Sequence, residues 1–346
     1  MSSLIYKRES NFELLRIVSM LLIILFHLVF YSGYNIGHTF GWNDAIFMFF
    51  MSGGKLGVIL FVMITGYYKI RDKDISFRKL AGLELQVLFY SILSLIVFVL
   101  VGGGELSLEL LSKIIFPNIS KTYWFFSSYF ILSLFIPFLN KLVEVISKKD
   151  FEKLLIIGFV VLILIPSIAI FNKGISSGVY LFYYYLIGGY IRLYCKEKKG
   201  VLKYLSGFLI PYLSITGISL YILYLSFSNI ALVNYIYEFS KISSILLFVS
   251  AICLFMFFKE LNIGRIKVVN LLASVSFGVY LIHDNFFMRD FLWKNLFSWT
   301  KLLNIGSVFV VGILVSVLVY LVSGGIEMLR KLIFKYFGDI FKKICH

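Results

Sequence analysis

Charge is scarce in this chain. Only 15% of its 346 residues are Asp, Glu, Lys or Arg, against 60% that are hydrophobic, and the mean hydropathy is +0.93. So little polar surface could not cover a water-soluble domain, which excludes the soluble globular classes and leaves an all-α polytopic membrane protein. Cysteine is rarer still. Cys195, Cys253 and Cys345 show no CxxC spacing, so neither a disulfide framework nor a metal site is expected. No small-residue cleavage site follows the first apolar run, so that run reads as a retained span and not as a secretory signal. No repeat of solenoid type is visible, nor is an inverted repeat of the transporter kind. Acidic residues are also few, 18 against 33 Lys and Arg, giving a net charge of +15. In a soluble protein that excess would suggest nucleic acid. Here the basic residues sit in short loops between apolar spans, where they orient helices, and nucleic-acid binding is excluded.

What is present is a series of about ten apolar runs long enough to span a bilayer, for which about 20 residues suffice. They cover Leu14 to Tyr31, Ala45 to Tyr68, Gly82 to Val101, Tyr123 to Leu139, Leu154 to Phe171, Ser177 to Leu193, Tyr204 to Phe227, Lys241 to Phe258, Val268 to Phe287 and Leu303 to Leu329. Lys and Arg concentrate in alternate loops, 24 on the side of the N-terminus against seven on the other. By the positive-inside rule, both termini are cytoplasmic.

The first run, NFELLRIVSMLLIILFHLVFY, carries Arg16 near its start and His27 two thirds along. At about 100° per residue, the eleven steps between them make roughly three turns, so both side chains leave one face about 16 Å apart. Ionisable groups are costly in hydrocarbon and normally face a bundle interior or a water-filled cavity. The plainer alternative is that Arg16 snorkels to the headgroups and His27 is an interhelical hydrogen-bond donor.

Other membrane-placed polar groups follow in order. Lys55 stands between Gly53 and Gly57, whose spacing suits close helix packing; the alternative places Lys55 at the outer interface. A basic cluster, KIRDKDISFRKL, precedes a span containing Glu84, whose candidate partners are Arg78 and Arg16. The cluster suits either anionic lipid or a phosphate-rich cofactor. Tyr123 and Trp124 open the fourth run as interfacial aromatics, Pro137 is expected to kink or end it, and Asn140 to cap it. His283 and Asp284 lie near the outer end of the ninth run. Neighbours in sequence do not face each other on a helix, so they form no dyad by themselves; capping and acceptor binding both remain open. Nothing is assigned to His38 or His346.

The first run, the GGKLGV and ITGYY segments, YWF at Tyr123, LIGGYIRLY and VYLIHDN together resemble acyltransferase family 3 of membrane proteins, especially the branch that O-acetylates bacterial surface polysaccharides. The likeness covers essentially the whole chain, and its most specific element is Arg16, ten residues, then His27. It implies a single membrane acyltransferase domain over residues 1–346 without an added soluble domain, placed in the bacterial cytoplasmic membrane. The implied donor is acetyl-CoA, and the implied acceptor a surface glycan or its lipid-linked precursor. His27 then reads as general base, with Arg16 and Glu13 completing the catalytic set. Arg16, Arg78 and Lys79 are expected to hold the coenzyme phosphates, and Lys55, Glu84, Trp124, His283 and Asp284 to meet the acceptor. The family's second motif, two arginines separated by two residues, is matched only in part: Arg78 is present but position 81 is Ala81. Lys79 supplies charge there but not the bidentate geometry. A glycan or lipid transporter, with the same polar residues lining a path, is the competing reading, and a structural subunit of an assembly complex the third.

Overall fold

Apolar runs without internal water must satisfy their backbone within themselves, and these do so as helices. The computed structural model describes residues 9–32, 41–100, 107–115, 122–168, 175–196, 200–298 and 305–344, and among them no strand occurs. Lys7, Arg8, His38, Cys345 and His346 lie outside the described residues. The main helices are α1 (Ser10–Tyr31), α2 (Trp42–Lys69), α3 (Phe77–Leu100), the short α4 (Leu108–Ile115), α5 (Trp124–Val145), α6 (Lys148–Ile168), α7 (Ser177–Tyr194), α8 (Val201–Ser226), α9 (Ile245–Glu260), α10 (Lys267–Ala273), α11 (Ser276–His283), α12 (Phe286–Leu296) and α13 (Ile305–Ile344).

Eight helical segments are long and apolar enough to cross a membrane, and a ninth span is formed if α10 to α12 are taken as one bent unit. Two of the ten expected spans therefore differ from simple transmembrane rods. The segment at Ser177 is helical as α7, but its tyrosines, glycines and Arg192 reduce its apolarity. The segment at Val268 breaks near Ser274 and then bends by 79° after His283.

α2 is the central element. In its most apolar stretch 78% is buried, against 11% for α6, whose apolar side chains instead face outward, as a lipid-facing helix requires. Glycines bring α2 against its neighbours. A Cβ on Gly66 would overlap the Tyr185 carbonyl, and one on Gly188 the Met63 carbonyl, so α2 and α7 touch backbone to backbone. Gly53 and Gly57 do the same against α1, as their spacing suggested.

α5 runs on past Pro137 to Val145, beyond the end expected for it. Asn140 also acts differently from a cap of its own helix. Its Nδ2 donates to the carbonyls of Lys69 (2.7 Å) and Asp72 (2.8 Å), while Tyr185 donates to its Oδ1 (2.7 Å). It thus satisfies orphan carbonyls at the end of α2 from a neighbouring helix. Contacts of Tyr68 with Glu9, Lys73 with Glu144, Arg192 with Tyr67, and Ser10 with Asn270 gather the start of α1 and the ends of α2, α5 and α7 at one end of the bundle.

Candidate active site

Between α1, α2, α5 and α11 lies a cavity of about 290 Å³. α1 contributes Arg16, Met20, Ile23 and His27, which the helical repeat stacks on one face. From α2 come Gly54, Lys55 and Thr65, from α5 Trp124 and Tyr129, and from α11 and its C-terminal end Ser276, Tyr280 and Asp284. Arg16 and His27 are therefore two points on one wall, as their spacing required.

The His27 end gathers several buried polar groups. His283 Nε2 lies 3.0 Å from His27 Nδ1, and His283 Nδ1 lies 2.6 Å from the Val279 carbonyl. Asp284 Oδ1 is 3.5 Å from His27 Nε2 and receives Arg289 through Nε (2.9 Å) and Nη2 (2.8 Å). The Arg289 guanidinium also stands 5.1 Å from the Tyr31 ring centroid. His27, His283 and Asp284 are all buried.

The local chain explains how consecutive residues reach such different partners. α11 ends at His283, with the Asp284 N–H still bonded to the Tyr280 carbonyl, and the chain then bends so that Asn285 opens the next helix. Asn285 caps α12 by accepting from the Phe287 N–H (3.0 Å) and donates to Tyr123 (2.6 Å), whose own hydroxyl donates to the Leu281 carbonyl (2.9 Å). The bend is thereby tied to the start of α5, which also carries Trp124.

Asp284 and Arg289 form a desolvated ion pair, so deleting one partner strands the other. Arg289→Met is expected to lower stability by about 3–5 kcal/mol, and Asp284→Asn on the same chain to restore part of that loss, as read by thermal unfolding in detergent.

At the other end, Arg16 Nη1 lies 2.7 Å from Glu13 Oε1, one turn away on α1. Glu13 is buried while the Arg16 side chain is 29% exposed, so the carboxylate holds the guanidinium from behind. Nearer the His27 end, Lys55 Nζ sits 3.9 Å from the centroid of Trp124, a cation over an aromatic face. Lys55 thus lines the cavity.

The structure places Arg16, His27, Lys55, Trp124 and Asp284 on one cavity, with Glu13 directly behind Arg16. It separates the rest. His283, expected beside the acceptor, is fully buried behind His27 and off the cavity wall. Glu84 is half-buried and off the wall, although Leu83 lines it, and Arg16 pairs with Glu13 instead. Arg78 and Lys79 are exposed in the first turn of α3. Sequence reasoning missed Arg289, five residues after Asp284, because only the bend lets it turn back on that carboxylate. Among the described residues, no three His, Cys, Asp or Glu side chains stand together as a metal site.

A family model, that of the acyltransferase 3 domain, matches residues 9–321 of the chain. No curated protein and no solved structure matches it.

Proposed function

Because the chain belongs to acyltransferase family 3 and is built of membrane-spanning helices, we propose that it transfers acetyl from acetyl-CoA to a hydroxyl of a bacterial surface polysaccharide or its lipid-linked precursor, with His27 as general base. One observation carries this reading: a guanidinium and an imidazole share the wall of one internal cavity, about 16 Å apart along an unbroken helix. The separation suits a donor held by its phosphates at the Arg16 end, with its thioester reaching toward His27. A transporter needs no imidazole at that depth on the same face as the cation.

In this reading Arg16, oriented by Glu13, binds phosphate, and the exposed Arg78 and Lys79 add positive charge at the same end. The acceptor enters at the deep end against Trp124 and Lys55, where an aromatic face and an ammonium suit a hydroxylated ring. His27 takes the hydroxyl proton as the oxygen attacks the thioester carbonyl. The C–S bond breaks, an ester C–O bond forms, and the proton passes to the departing thiolate. Asp284, 3.5 Å from His27, stabilises the imidazolium between these events. The Lys and Arg bias supports a cytoplasmic Arg16 end, the side on which acetyl-CoA is found.

The purified protein in lipid vesicles is expected to release free coenzyme A from acetyl-CoA in the presence of a glycan acceptor. Arg16→Gln should raise the donor KM about tenfold or more and change kcat less, since a charge-assisted phosphate contact contributes about 1.5–3 kcal/mol. Unchanged donor KM would remove Arg16 from the donor site.

A further inference from the structure

We propose that His283 is a positioning residue that fixes the ring tautomer of His27, so that the nitrogen beside the cavity carries a lone pair. The proposal rests on the reading of His27 as the base.

The assignment follows from which groups can donate. A backbone carbonyl only accepts, so the 2.6 Å contact with Val279 requires the proton of neutral His283 on Nδ1. Its Nε2 is then an acceptor. The 3.0 Å contact with His27 must in turn be donated by His27 Nδ1–H. Neutral His27 has one ring proton, so its Nε2 is left bare. That atom is the one turned toward Asp284, which lines the cavity, whereas Nδ1 is turned to His283, which does not. The chain of hydrogen bonds, from His27 through His283 to the carbonyl of α11, therefore points a base at the cavity.

The other tautomer has a sponsor of its own. Asp284 Oδ1 is 3.5 Å from His27 Nε2, and a carboxylate draws a ring proton toward itself. With the proton on Nε2, His27 would be a donor at the cavity and could accept nothing there. Two features oppose this. Arg289 places two N–H groups on the same Asp284 oxygen, and His283 offers the shorter contact on the opposite side of the ring. Of the two, only His283 touches His27 directly.

Nitrogen NMR on purified protein with ¹⁵N-labelled histidine reads the tautomer without reference to activity, the His27 signals being identified by their loss in His27→Ala. The wild type should show His27 and His283 both protonated on Nδ1. In His283→Leu the His27 proton should move to Nε2, and transfer should fall about tenfold or more for want of a correctly placed base. His283→Gln, whose Oε1 can accept from Nδ1–H, should keep both the tautomer and most of the transfer. An Nε2–H His27 in the wild type, full transfer in His283→Leu, or lost transfer with an unmoved tautomer would each overturn the proposal. If His283→Leu does not fold, the wild-type and His283→Gln spectra decide it. Retained transfer in His27→Ala would instead sink the base assignment, with the ring signals still deciding the tautomer.

Discussion

Replacing His27 by alanine is expected to lower acyl transfer by about 10²–10⁴-fold while leaving donor binding nearly intact. In the proposed reading the donor is gripped at Arg16, eleven residues away, and the lost ring lies at the far end of the cavity. Two readouts separate chemistry from binding. Coenzyme A release by the purified variant reports the reaction, and acetyl-CoA affinity by titration reports the grip. In cells, proton NMR of the surface polysaccharide at matched membrane expression should show the O-acetyl signals gone with polymer amount unchanged. Loss of polymer itself would favour a translocation role, and full acetylation would remove His27 from the chemistry.

The second large effect is expected where no catalytic group is touched. A Cβ on Gly57 would overlap the Ser19 carbonyl and lie 2.8 Å from Ile23 Cγ1, and one on Gly53 would lie 3.1 Å from the Leu22 carbonyl. These carbonyls belong to the stretch of α1 between Arg16 and His27. Gly57→Ala must push α1 away from α2, at a cost of about 1–3 kcal/mol for overpacking. Because the displaced helix bears both ends of the cavity, transfer should fall with the thermal midpoint. Gly217→Ala is the control. Gly217 is exposed on α8 with open space around its Cβ position, so alanine there should leave both readouts unchanged or raise stability slightly. Equal behaviour of the two variants would mean that α1 and α2 are not held by close backbone contact.

Much of this arrangement is legible from sequence because it is local. Arg16 and His27 share a face through the helical repeat alone, and Gly53 and Gly57 declare a close approach through their spacing. The apolar runs locate the helix starts to within several residues, since only chain length and hydropathy enter, but α13 continues to Ile344, well past the expected Leu329. Harder cases arise where composition and conformation part. α7 is helical, yet tyrosines replace aliphatic residues on it because it lies buried among other helices and not in lipid. Pro137 does not end α5, and Asn140 serves α2 because the two helices end side by side.

The pairings at the deep end were not legible at all. His27 and His283 are separated by 256 positions, and no periodicity links them. His283 and Asp284 meet His27 from the end of α11, and the 79° bend that follows and brings Arg289 back to Asp284 has no marker in VYLIHDN. Arg289 reads from sequence as one of the seven basic residues opposite the N-terminal side, for the same reason. Glu84 and His283 were drawn to the substrate by the rule that buried polar groups serve function. His283 shows another use of such a group, a hydrogen bond to the ring of His27.

α1 is continuous from Ser10 to Tyr31, without a proline or a wide turn to absorb error. It therefore serves as a ruler as well as a wall. One residue inserted between Arg16 and His27 would swing the imidazole about 100° out of the cavity, whereas a whole extra turn would keep the face and add about 5.4 Å. Phase and length are coupled in this one element. In the proposed reading, the span available to a molecule gripped at one end and reacting at the other is therefore quantised by peptide geometry, in steps no smaller than a helical turn.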